Sequence, residues 1–203
     1  MWDPHTPYDT PKEFGNPFKN DPIEDWVTEE LIKKQRDSFG PHSAREVPGF
    51  DDDLRGKYTM GVGEIKNIAD AKEQFDAYDT GINYADLYLS KVIEDLKKMN
   101  LWDDTAIIIS ADHGENQGEL NVWGDHQTAD HITNRVPLII RWPGITDSNK
   151  GNTVENKFYN LDLTSTISQI VSSTQPDRWD GINFSDNLKD NNSNNVRDYL
   201  VIR

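Results

Sequence analysis

The chain has 203 residues, 34% hydrophobic, 10% aromatic and 28% charged, which suits one soluble globular domain or a large piece of a bigger one. It has no cysteine, which excludes disulfides, thiolate metal sites and cysteine nucleophiles, and no run of about 18 apolar residues that would span a membrane. With 21 basic against 36 acidic residues and a formal charge of −15, it is a poor match for nucleic acid or an anionic membrane, although screening beyond roughly 8–10 Å leaves room for an anionic substrate in a local cationic cleft.

The opening MWDPHTPYDTPKEF carries neither a positive n-region nor an apolar h-region, so no signal peptide is expected in it. Pro4, Pro7, Pro11, Pro17 and Pro22 predict extended or turning chain over residues 1–23, because proline removes donors and restricts the residue before it. DPIEDWVTEELIKKQRDSFG predicts a helix from about Ile23 to Ser38, with acids in its first turn, Lys33, Lys34 and Arg36 towards its end and Gly40 beyond. Residues 40–63 read as a long irregular connection. In 64–99, Tyr78, Ile82, Ala85, Leu89, Val92 and Leu96 recur at spacings of 4, 3, 4, 3 and 4. That places them on one helical face, read as core packing, with Gly81 a mild interruption and Asn100 the expected cap.

A buried strand is predicted at 105–110, TAIIIS, whose continuous apolar run is typical of strands covered on both faces. A polar, glycine-containing loop follows at 112–126, then a short helix to about Asn134 and a second buried strand at 136–142. NLDLTSTISQIVSST, 160–174, predicts a helix capped by Asn160 or Asp162, with Leu163, Ile167, Ile170 and Val171 on its apolar side. An Asn/Asp-rich turn at 190–195 precedes a final strand, DYLVIR. Helices alternating with buried strands predict an α/β layered sandwich, with a central mostly parallel or mixed sheet flanked by helices. Two or three strands are fewer than the five or six of a typical sheet, so the domain reads as incomplete.

Asp112 and His113 stand at the end of the first predicted strand, where open α/β sheets collect ligands. A carboxylate oxygen and an imidazole nitrogen are both metal ligands, and Gly114 permits the turn. A strand-terminal aspartate also serves as a cap, so the tripeptide alone leaves both readings open.

The wider context narrows the choice. ADHGENQGE, then WGDH, then RVPLIIRWPG resembles the sulfatase family of the alkaline-phosphatase superfamily. LYLSKVIEDLKKMNLWDDTAIIISADHG is similar to the helix and strand that precede that family's metal motif. WDPHTPYDTP resembles its Pro-His-x-Pro segment, and RWDGINFSDNL a segment near the end of its catalytic domain. The resemblance covers nearly the whole chain in order. It implies a sulfuric ester hydrolase acting on a sulfated small molecule or glycan, with Asp112 and His113 as two ligands of a divalent ion, usually calcium. His5 would contact the sulfate or assist the leaving alkoxide. A Lys or His a dozen or so residues after the metal pair also binds sulfate in the family, and here His126 falls at that place. Asp125 beside it would repel sulfate unless it bound metal. His131 is the competitor, and if 127–133 is helical it lies about 140° around the helix from His126. His42 and Arg45 read as loop or rim residues.

The family nucleophile is a formylglycine made from a Cys or Ser in Cys/Ser-x-Pro/Ala-x-Arg, and no such motif occurs here; SAREVPG lacks the spacing. Residues 1–203 therefore read as a partial sulfatase catalytic domain, without the N-terminal nucleophile half or the small C-terminal subdomain. The chain alone is expected to be inactive. A phosphodiesterase or phosphonate monoester hydrolase of the same superfamily is the alternative, and a non-catalytic fragment is the rival of another class. The compartment and oligomeric state are not legible in the sequence.

Overall fold

The computed structural model describes residues 3–47, 58–59, 61–190 and 197–201. Thr28 starts the first helix: its side chain accepts from the Leu31 N–H at 3.1 Å, and Glu29 and Glu30 fill the first turn of α1, Glu29–Arg36. This helix is shorter than the Ile23–Ser38 expected. Before Thr28 the chain turns back on itself, with the Val27 N–H donating to the Glu24 carbonyl at 3.0 Å, and buries Val27. Asn67 caps α2, Ile68–Lys98, by accepting from the Asp70 N–H at 3.1 Å. Beyond its end Asn100 takes the left-handed conformation, φ 57°, that stops helices.

The expected core stripe of α2 is not its buried face: Tyr78, Ala85, Leu89 and Leu96 are only half-buried. Its buried residues are Ala71, Gln74, Asp76, Ala77, Thr80 and Gly81, whereas Ile82 and Val92 are 45% and 52% exposed. The packed face is set by the proline-rich segment rather than by hydropathy alone. A Cβ added at Gly81 would lie 2.9 Å from the Cβ of Pro4, so glycine admits that close approach.

The chain forms two compact units, Met1–Met99 with Glu115–Thr128, and Asn100–Gly114 with Ala129–Arg203. In the first, Val27, Ile32, Ala44, Val47, Ile65, Ala71 and Trp123 make the core. Two short antiparallel pairs belong to it: β1, Thr10–Pro11, with β2, Tyr58–Thr59, and β4, Asn116–Gln117, with β5, Trp123–Asp125. The segment read as one polar loop at 112–126 thus contains a hairpin.

In the second unit, β3, Ile107–Ser110, pairs antiparallel with β6, Leu138–Arg141. Both strands are shorter than expected and neither is fully buried: β3 is half-buried up to an exposed Ser110, and Leu138 and Ile139 of β6 are exposed. All three strand pairings among the described residues are antiparallel and two-stranded, so the expected mostly parallel or mixed central sheet is not formed among them. The short helix is α3, His131–Asn134, started by Asp130, and residues 127–130 are not helical. In α4, Asn160–Ser172, Asp162 accepts from the Tyr159 N–H at 2.7 Å, so Asp162 rather than Asn160 does the capping. Residues 198–201 of the predicted final strand are not in a strand. Residues 202–203, and 191–195 of the predicted Asn/Asp-rich turn, lie outside the described residues.

Arg197 closes on Asp162, Nη2 to Oδ1 at 2.7 Å and Nε to Oδ2 at 3.1 Å. Burial alone would raise the Asp162 carboxyl. The hydrogen bonds from Arg197 and from the Ile182 and Tyr159 N–H groups outweigh it and hold the carboxyl below its usual value.

Candidate functional site

β3 ends in the pair that the sequence singles out. The His113 N–H donates to Asp112 Oδ1 at 3.2 Å, and His113 Nδ1 meets the Gly114 carbonyl at 2.8 Å. His113 Nε2 lies 3.8 Å from Asp112 Oδ2, with the Asp112 side chain 91% exposed. Gly114 makes this turn because its N–H donates to the Thr133 carbonyl at 2.7 Å and a Cβ there would lie 2.2 Å from the Ile132 carbonyl oxygen. Ligand atoms about 2.0–2.4 Å from one ion lie within about 4 Å of each other, so this carboxylate and ring fit adjacent positions around a divalent cation. The carbonyl on Nδ1 is the kind of outer contact that orients a ligating imidazole.

In the first unit, the β4–β5 hairpin is fixed by buried polar side chains. Gln35 accepts from Trp123 Nε1 at 3.0 Å and donates to the Gly118 carbonyl at 2.8 Å. Gly118, at φ 113°, would put a Cβ 2.5 Å from the Trp123 ring. At the neck of the segment, Asn116 Nδ2 donates to Thr128 Oγ1 at 3.0 Å.

Glu115, whose side chain is 7% exposed, is the centre of this region. Its Oε1 lies 2.9 Å from both the Thr6 and Tyr8 hydroxyls, and its Oε2 lies 3.2 Å from His126 Nδ1. Gln117 Nε2 donates to the Tyr8 hydroxyl at 2.7 Å. Burial first, and then the Glu115 charge, push the Tyr8 phenol well above its ordinary value, so it stays protonated and keeps donating.

The sequence-chosen histidines divide accordingly. His5 sits beside Thr6, with Nδ1 2.6 Å from the Thr6 carbonyl, so His5 and His126 are joined to one network through Thr6 and Glu115. Asp112 and His113 belong to the second unit, as does the exposed His131 at the start of α3. Asp125, 5% exposed, accepts from the His126 N–H at 2.6 Å and lies 2.7 Å from His42 Nε2. The anion next to His126 is thus turned towards His42, read as a loop or rim residue. Arg45 is exposed and its guanidinium lies over the Phe39 ring, 5.9 Å from the centroid.

Glu115, Thr6, Tyr8 and Gln117 are the residues that reading the sequence missed. A signal existed for Glu115, the acid directly after Gly114. Nothing in the sequence connects it with Thr6 and Tyr8, more than a hundred residues away.

A family model described as Sulfatase matches residues 3–173. The chain is 27% identical to a choline-sulfatase of Rhizobium meliloti over 168 residues, 83% of this chain and 30% of that protein. It is 27% identical to an ulvan-active sulfatase of Formosa agariphila over 135 residues, 66% of this chain and 26% of that one. The chain therefore spans less than a third of the length of these curated relatives. Among solved structures, a phosphonate monoester hydrolase from Silicibacter pomeroyi superposes with a TM-score of 0.58 at 30% identity, covering 63% of this chain and 24% of that one.

Proposed function

Because the chain belongs to the sulfatase family, we propose that it supplies the metal-binding and sulfate-contacting part of a sulfuric ester hydrolase. The observation that carries this reading is the family match over residues 3–173. In it, the Asp112 carboxylate and the His113 ring hold a divalent ion, calcium by the family resemblance, although the carboxylate equally suits manganese and the imidazole suits zinc. Such an ion, when bound, supplies positive charge to a transferring sulfuryl group. His5 and His126 hold sulfate oxygens or move a proton to the leaving alkoxide. The substrate is a sulfated small molecule or glycan, in keeping with relatives named for choline sulfate and ulvan.

The nucleophile of this reaction is a formylglycine, and its Cys/Ser-x-Pro/Ala-x-Arg motif is not in these 203 residues. The chain on its own is therefore expected to bind without turnover. Nitrophenol release from an aryl sulfate by the pure chain, lost in His126→Ala, would overturn that expectation. Binding is tested by isothermal titration with inorganic sulfate in the presence of calcium or manganese. Weakening in Asp112→Asn and in His126→Ala supports the reading, and unaltered binding in both rejects it.

The solved phosphonate monoester hydrolase is compatible with a second reading, a phosphodiester or phosphonate hydrolase. Comparing a sulfate monoester, a phosphate diester and a phosphonate on the longest open frame that encodes this chain separates the two. A non-catalytic module is the outcome if neither ion nor oxyanion binds.

A further inference from the structure

Three of the four assigned site residues are histidines, and all three turn the same ring nitrogen towards an oxygen. His5 Nδ1 lies 2.6 Å from the Thr6 carbonyl, His113 Nδ1 lies 2.8 Å from the Gly114 carbonyl, and His126 Nδ1 lies 3.2 Å from Glu115 Oε2. A carbonyl or a carboxylate offers only lone pairs, so in each contact the ring nitrogen is the donor. Each ring, when neutral, then carries its proton on Nδ1 and its lone pair on Nε2.

The three contacts are not equivalent. His5 and His113 are held by the carbonyl of the residue that follows them, a contact set by their own backbone. His126 is held by a side chain eleven residues earlier, and that side chain is held in turn by Thr6 and Tyr8. The two oxygens of one buried carboxylate thus divide their work: Oε1 takes the hydroxyls of the segment that carries His5, and Oε2 takes His126. Removing a backbone carbonyl by mutation is impossible, but removing this acceptor is simple.

We propose that Glu115 is a positioning residue: its carboxylate fixes the tautomer and the orientation of His126, and so selects Nε2 as the nitrogen that meets the oxyanion. The inference rests on the functional reading above only in naming the oxyanion; the tautomer stands on the geometry alone. The Glu115 carboxylate meets Thr6, Tyr8 and His126 and is given no contact with substrate. It acts through His126, as an outer carboxylate acts on a ligating imidazole.

Long-range proton–nitrogen correlation spectra of the chain labelled with nitrogen-15 histidine test it directly. The expected result is a protonated, pyrrole-type Nδ1 and a pyridine-type Nε2 for neutral His126. A predominant Nε2–H form in the unmodified chain would overturn the proposal without any variant. In Glu115→Gln the His126 signals are expected to move towards a mixture of tautomers while those of His5 and His113 stay in place. An unchanged His126 pattern in that variant rejects the role of Glu115. Titration with inorganic sulfate then separates the two claims. A larger shift at His126 Nε2 than at Nδ1 supports the choice of nitrogen, and a larger shift at Nδ1 contradicts it. No shift at His5 or His126 removes the functional reading and leaves the tautomer assignment to be judged by the first two spectra.

Discussion

The β4–β5 hairpin and the β3–β6 pair are both two-stranded and antiparallel, yet they treat their side chains in opposite ways. Asn116, Gln117 and Asp125 of the hairpin are buried, while Leu138 and Ile139 of β6 are 36% and 59% exposed. The hairpin is covered because its neighbours offer matching polar groups: Tyr8 meets Gln117, Gln35 meets Trp123, and His42 meets Asp125. The strands β3 and β6 have each other and no third strand among the described residues. Burial is decided by which partners arrive, and hydropathy only sets what burial is worth once they do.

The sharpest test of that contrast is Trp123→Ala. This ring is fully buried between Gly118 and the core, so its loss is expected to cost about 3–5 kcal/mol in urea unfolding. A cost near 1 kcal/mol would mean that the hairpin is not the anchored element described.

The second test lies in the other unit, where the buried Asp162 carboxylate pairs with the half-buried Arg197 guanidinium. Asp162→Asn is expected to cost about 2–3 kcal/mol at neutral pH. The folded carboxyl sits below its ordinary value, so its contribution is complete above the usual carboxylate range and is lost as pH falls through the depressed value. The stability gap between the native chain and the variant should therefore close below about pH 4, measured by urea melts across pH. A gap that stays constant in acid rejects the charged pair as its source.

Tyr8→Phe comes next, at about 1–2 kcal/mol, since it leaves Glu115 and Gln117 short of a partner. The phenols of Tyr8 and Tyr78 are both raised, the latter to about 12, by burial and then by Glu115. The folded state holds these protons longer than the unfolded chain, so stability is expected to fall as pH rises above about 10. Phenolate absorbance that develops at the ordinary tyrosine value for both residues in the folded chain would contradict this. The smallest effect belongs to Ile139→Ala, within about 0.5 kcal/mol for so exposed a residue. A large cost there would break the contrast from the other side.

Much of the local structure was legible because it depends on short-range physics. The period of apolar residues gave α2, and the end of a β-branched run marked Asp112 and His113. Asn160 and Asp162 at the start of an apolar helix were both cap candidates, and Asp162 is the one that caps. What failed depended on distant partners. The continuous apolar run of β3 implied cover on both faces, but a run cannot say whether the covering chain is present. The polar stretch 112–126 implied a solvated loop, because no alternation marks β4 and β5. The carboxylate of Glu115 gains its place from Thr6 and Tyr8, and sequence spacing carries no trace of that meeting.

The neck formed by Asn116 and Thr128 has one more consequence. Residues 115–128 leave the second unit's stretch of chain after Gly114 and rejoin it at Ala129, and the hydrogen bond from Asn116 to Thr128 ties their two ends. A detour tied at its base can change in length cheaply, since doubling a flexible loop costs only about 0.6 kcal/mol of closure entropy. Leu120, 71% exposed at the far point of this detour, is where such growth would disturb least. Over generations of insertions and deletions, this is the place where the chain can try new lengths while β3 and β6 keep their pairing.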